Sequence, residues 1–107
     1  MILEIRTYRL KPGTREEFVR VMREESVPLL ESFGIRVVDC GPSLVDEDGN
    51  EEAYLIRAFD SVEEREKQEE RFYSSPEWRE GAREAIVSRI ESYHSIVLEP
   101  GTAFGSL

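Results

Sequence analysis

The chain has 107 residues, 39% hydrophobic and 35% charged, with a formal net charge of −9, one cysteine and one histidine. That length fits one domain, since domains of roughly 100–150 residues are the commonest size, and the composition is globular rather than disordered. The negative charge argues against nucleic acid, whose binding rests on phosphate neutralisation, and against anionic lipid. The lone Cys40 excludes an internal disulfide and a thiolate metal cluster. No apolar run approaches the ~20 residues that span a bilayer. The amino end starts directly on a strand-like pattern, so a cytoplasmic protein is expected.

Residues 2–10 alternate, Leu3 and Ile5 on one face and Glu4, Arg6 and Tyr8 on the other, which is the strand period of two. "KPGT" breaks the strand, and Thr14 with Glu17 has the spacing of a capping box at a helix start. Phe18, Met22, Leu29 and Phe33 follow at helical spacing, Pro28 predicts a kink, and Gly34 closes the helix as a C-cap. A second strand is expected over 35–45, with a bulge or bend at the "CGP" of 40–42, then a hairpin turn at "DEDGNE". "AYLIRAF", 53–59, reads as the third strand.

Ser61 and Glu64 form a second capping box and start a helix that is nearly all charged. Ser75-Pro76 restarts a helix, with Ser as N-cap and Pro at the first position. Trp78, Ala82, Ala85, Ile86 and Ile90 form its apolar stripe. "YHSIVLE", 93–99, is the last strand, and "PGTAFGSL" a short tail, loosely ordered unless it docks. A single domain over 1–100 and a tail over 101–107 follow.

This order, β-α-β-β-α-β, predicts an α+β ferredoxin-like fold with a four-stranded antiparallel sheet. Strands three and four carry apolar residues on both faces: Tyr54, Ile56 and Ala58 against Leu55 and Phe59, Ile96 and Leu98 against Val97. Helices on one side leave the other bare. A homodimer packed sheet to sheet is therefore expected, with Glu4, Arg6 and Tyr8 inside or beside a barrel formed by the two subunits.

Four strings in this order and spacing, "EIRTYRLKPG" (4–13), "FDSVEER" (59–65), "SSPEWRE" (74–80) and "ESYHSIVLEP" (91–100), resemble the NIPSNAP family of the dimeric α/β-barrel superfamily over residues 2–100. The resemblance implies a ferredoxin-like subunit that pairs into a barrel. Related families in that superfamily include cofactor-free monooxygenases, haem-degrading enzymes and small-molecule isomerases. The chain departs from the family at Leu55 and Arg57, where members often carry a His-x-Trp pair in the third strand.

Several residues offer chemistry, each beside a plainer reading. Arg6 and Tyr8 share a strand face, and Arg57 joins them if the register allows. Two guanidiniums near a phenol suit a carboxylate or phenolate, but an interior salt bridge to Glu4 or Glu99 is preferred. Tyr54 and Tyr73 offer hydroxyls to a ligand or to buried backbone. Trp78 and Phe72 form either a pocket wall or ordinary core. His94 reads as a general base or haem ligand; a hydrogen-bonded residue at a helix–strand junction is preferred, since no second ligand lies near it in sequence.

Cys40 reads as a small buried hydrophobe. The run 63–72 reads as a solvated helix face laced by pairs such as Glu63 with Lys67. No Gly-rich phosphate loop, nucleophile elbow or HExxH motif occurs.

The leading functional expectation is a pocket between sheet and helices for a small hydrophobic or aromatic acid, with no cofactor. Arg6 and Arg57 would orient the anion, Tyr8 and Tyr54 donate hydrogen bonds, Trp78 wall the pocket and His94 move a proton. A non-catalytic dimeric interaction or sensing module is the alternative, and haem binding through His94 a third.

Overall fold

In the computed structural model, which describes residues 1–101, the alternating run at the amino end is strand β1 (Ile2–Leu10) at the heart of the sheet. Four antiparallel strands stand in the order β2 (Arg36–Pro42), β3 (Glu51–Phe59), β1, β4 (Ile90–Leu98). Between them run α1 (Arg15–Val21), α2 (Val27–Ser32), α3 (Val62–Tyr73), α4 (Pro76–Arg79) and α5 (Arg83–Val87). This is the α+β, four-stranded antiparallel arrangement expected. The expectation for the tail beyond Gly101 lies outside the described residues.

Register decides which side chains meet. Glu4 stands opposite Arg57, Arg6 opposite Leu55 and Tyr8 opposite Ala53 on β3, while on β4 the same three face Val97, Ser95 and Tyr93. Because side chains alternate, all of these share one face, and that face is the one the helices cover. Tyr8, Leu10, Leu55 and Phe59 pack there against Phe18, Met22, Leu30, Phe72, Trp78 and Ile86. The expectation that Glu4, Arg6 and Tyr8 face a second subunit is corrected: they lie inside this subunit, under α3. The opposite face carries Leu3, Ile5 and Thr7, then Tyr54, Ile56 and Ala58, then His94, Ile96 and Leu98.

Several local signals resolve differently from their motifs. The Thr14–Glu17 box does not form, because Thr14 Oγ1 donates to the Lys11 carbonyl at 2.6 Å and Glu17 pairs with Arg20. The start of α1 is capped instead from β3, where the Glu51 carboxylate accepts the amides of Gly13 (2.5 Å) and Arg15 (3.0 Å). Pro28 does not produce a simple kink. A five-residue π-helical turn, Met22–Ser26, joins α1 to α2, and the Val27 amide donates to the Met22 carbonyl. The wider turn absorbs the amide that proline lacks.

The bulge in β2 falls at Val38, between Val37 and Asp39, rather than at 40–42. Ser61 and Ser75 cap α3 and α4 as their motifs predict, accepting the amides of Glu64 (3.1 Å) and Trp78 (3.2 Å). The helix expected from Pro76 to Ile90 divides at Gly81. A Cβ there would sit 2.4 Å from the Glu77 carbonyl oxygen, so the turn admits only glycine. After α5 the chain enters β4 at Ile90, three residues earlier than expected, and Ile90 becomes a strand residue.

The run 63–72 is only half solvated. Phe72 is the single buried apolar residue of α3, and Arg65 and Glu69 turn inward. No helix of the described residues is long and apolar enough to cross a membrane.

Removing the strand-borne cap should matter more than removing the motif. Glu51→Ala is expected to lower the urea midpoint of unfolding, and Glu17→Ala to leave it nearly unchanged; equal effects would show that α1 is not capped from β3.

Candidate functional site

Beneath α3 lies a cluster of buried charge. Glu4 and Arg57 are both fully buried and ion-paired, with Arg57 Nε donating to Glu4 Oε1 at 3.0 Å. Glu4 Oε2 accepts from Arg65 Nε at 2.7 Å. Arg57 Nη1 donates to the Tyr73 hydroxyl oxygen at 2.9 Å. Arg6 binds three partners: Ser95 Oγ at 2.9 Å, the Tyr73 oxygen at 3.2 Å and Glu69 Oε1 at 3.4 Å. Its guanidinium also lies 5.0 Å from the centre of the Tyr93 ring. Arg65 Nε sits 3.0 Å from Glu69 Oε2, but its N–H does not point at that oxygen, which receives no hydrogen bond among the described residues.

Three guanidiniums thus meet two carboxylates. A buried charge is tolerated only when paired and hydrogen-bonded, and here each carboxylate touches all three cations. Burial pushes the pKa of Glu4 up, but the neighbouring Glu69 carboxyl and the charges of Arg57 and Arg6 outweigh it and hold the group at about 2. Burial and the same contact with Glu4 push Glu69 up to about 7, against the pull of Arg57 and Arg65. Two carboxyls in one site separate in this way because the second negative charge is disfavoured beside the first.

The cluster forms one end of a cavity of about 370 Å³ between sheet and helices, where Arg6, Glu69 and Tyr73 line it. Its walls are mostly apolar, with Arg83 of α5 a second cation on the lining. Tyr8 and Leu55 rise from the sheet, Met22 and Leu30 come from the α1–α2 segment, and Ile86 comes from α5. Phe72 and Trp78 add an aromatic side, their ring centres 5.2 Å apart. Burial pushes the Tyr8 phenol well above its ordinary pKa, so it remains a neutral wall. Ser26, in the π-helical turn, also lines the cavity; it is 2% exposed and its hydroxyl has no hydrogen-bond partner among the described residues. A pocket with apolar walls and a few convergent polar groups has the usual make-up of a small-molecule site.

Of the residues singled out from sequence, the fold gathers Arg6, Tyr8 and Trp78 around this cavity. Arg57 stands behind Arg6, fully buried against Glu4 and Tyr73, and does not line it. Tyr54 and His94 are corrected: both pair with Thr7 from opposite sides and so face away from the cavity, on the outer sheet face. Tyr54 donates instead to Asp39 Oδ2 at 2.9 Å. His94 is exposed. Arg6 pairs with Glu69 and Glu4, not with Glu99. Sequence reading missed Glu69 and Ser26. Arg65, Glu69 and Tyr73 recur every four residues and so mark one helix face, a signal hidden by the charge that surrounds it.

The cluster makes two stability predictions. Arg57→Met strands Glu4 without its closest partner and should lower unfolding stability by about 3–5 kcal/mol in urea titrations. The pH profile follows from the two carboxyls. Glu4 titrates lower when folded than its ordinary 4.5, so its contribution holds above 4.5 and fades as pH falls toward 2. Glu69 titrates higher when folded, so its contribution is full below 4.5 and is lost as pH rises through 7. Glu69→Gln should flatten the loss between pH 4.5 and 7, and a loss of unchanged size would place its origin elsewhere.

Comparison with known proteins agrees with this architecture. The NIPSNAP family model matches residues 3–103. Among solved structures, an uncharacterized NIPSNAP domain protein from Burkholderia xenovorans is 25% identical, with a TM-score of 0.82 over 95% of this chain and 96% of that one. Protein Atu4242 from Agrobacterium tumefaciens is 27% identical, with a TM-score of 0.80 over 95% of each chain. A putative antibiotic biosynthesis monooxygenase from Nitrosomonas europaea, 15% identical, shares the fold with a TM-score of 0.67 over 94% of this chain and 98% of that one. A search of curated proteins finds no match. With the family pattern running through nearly every element described above, the chain belongs to the NIPSNAP family.

Proposed function

We propose that the protein binds a small aromatic or hydrophobic acid in the cavity beneath α3, as a homodimer and without a cofactor. The observation that carries the reading is the mismatch of charge in a mostly apolar cavity: three guanidiniums against two carboxylates in the cluster, with Arg83 of α5 a further cation on the lining. An anion completes that balance, and the apolar walls accept its ring or chain. Arg6 is the cation of the cluster at the cavity surface, with Arg83 also on the lining; Tyr8 and Trp78 are walls, and Arg57 supports Arg6 from behind through their shared bonds to Tyr73. The fold shared with antibiotic biosynthesis monooxygenases supports a fold able to host such a site and says nothing of the reaction.

The outer sheet face supports the homodimer. Ile5, Ile56, Ile96 and Leu98 fall together on it by register, beside the buried Leu3, and Ile96 is 50% exposed. A second copy laid on this face removes the patch from water and leaves both cavities on the helical side.

A thermal-shift series with benzoate, phenylacetate, salicylate and phenylpyruvate checks the ligand class. Stabilisation that Arg6→Gln abolishes is expected; no shift with any acid would sink the reading. Light scattering checks the assembly. A dimer is expected, converted toward monomer by Ile96→Lys, and a monomer at micromolar concentration rules the dimer out.

A further inference from the structure

The cavity holds more polar equipment than anion binding requires. Tyr73 Oη accepts guanidinium N–H bonds from both Arg57 (2.9 Å) and Arg6 (3.2 Å), which fills the acceptor capacity of a phenol oxygen. Its own O–H has no acceptor among the described residues, and Tyr73 lines the cavity. Two cations pulling on the oxygen make that O–H a stronger donor than a free phenol. One helical turn earlier, Glu69 lines the same cavity and shares the Arg6 guanidinium with Tyr73. Behind Glu69 stands the Glu4 carboxylate, locked as an anion by Arg57 and Arg65. A carboxylate with another at its back holds a proton more readily than a lone one. Ser26, buried with an unpartnered hydroxyl, adds a further free polar group to the lining.

From this arrangement we infer that Tyr73 and Glu69 are an acid–base pair that enolises a bound carbonyl acid, with Tyr73 donating to the carbonyl oxygen and Glu69 taking the proton from the adjacent carbon. The inference rests on the acid-binding reading above and names its substrate class. The Glu69 carboxylate removes one proton from the carbon beside the carbonyl. The C–H electron pair becomes the carbon–carbon double bond, and the carbonyl pair moves onto oxygen. That oxyanion is held by the Tyr73 O–H beside the Arg6 charge, as preorganised donors stabilise developing negative charge. Return of the proton to carbon regenerates the keto acid, and delivery to oxygen releases the enol. No electrons enter or leave, so the step needs no oxidant.

Phenylpyruvate in deuterium oxide tests this directly. Proton NMR of its methylene signal should show hydrogen–deuterium exchange about a hundredfold faster with the wild-type protein than in buffer, the scale of a positioned acid–base pair. The rate should rise as pH passes through about 7, where Glu69 gives up its proton; the other charged groups that face it or line the cavity are Glu4, Arg6, Arg57, Arg65 and Arg83. Glu69→Gln should abolish the enhancement while keeping the thermal shift with phenylpyruvate. Glu69→Asp should restore part of it, and Tyr73→Phe should lower it at least tenfold.

Exchange no faster than in buffer, from a protein that phenylpyruvate stabilises, overturns the inference and leaves the acid-binding reading standing. So does wild-type exchange by Glu69→Gln, or binding of benzoate and salicylate without phenylpyruvate. Failure of every acid to bind ends both.

Discussion

The ion pair between Glu4 and Arg57, with both side chains fully buried on adjoining central strands, is the constraint on which the rest of this structure depends. Neither charge can remain in the core alone, since removing one partner leaves the other desolvated and unpaired. The pair therefore requires more polar partners, and α3 provides them. This explains why a helix whose sequence is almost all charge docks on a sheet at all. Phe72 is its one buried apolar residue; Arg65, Glu69 and Tyr73 seat the rest through bonds to Glu4, Arg6 and Arg57.

That mode of docking also creates the cavity. A helix held by an apolar stripe packs its side chains into the sheet to near-crystalline density. Here α3 is held by long polar side chains at one level, and the space beside them is walled by Tyr8, Phe72 and Trp78. The π-helical turn that accommodates Pro28 brings Ser26 to the same space, in keeping with the frequent occurrence of such turns at functional sites. Structural support and site chemistry are one network, so residues that hold the fold also set the charge the cavity presents.

Much of the fold was legible. The period of two in β1 and β3, the Ser61 and Ser75 caps and the Gly34 helix end, at φ 81°, are where local patterns place them. The misses share a cause. Thr14 has the cap motif, but a stronger acceptor, Glu51, arrives from a strand 36 residues away at Arg15. His94 and Tyr54 carry suitable chemistry, but alternation puts them on the outer face. Arg57 joins the face of Arg6 only through a register that the sequence leaves open, and Glu69 is hidden among the acidic residues of its helix.

By itself the sequence determined the elements, their order and which residues of each strand share a face, because those follow from repulsion, hydrogen bonding and periodicity within a few residues. Only the tertiary structure decided which face the helices cover and which charge meets which, because register and docking join residues as distant as Arg65 and Glu4, 61 positions apart. Local sequence carries no record of such a pairing. It exists because two buried charges on neighbouring strands can be satisfied only by what the next helix brings to them.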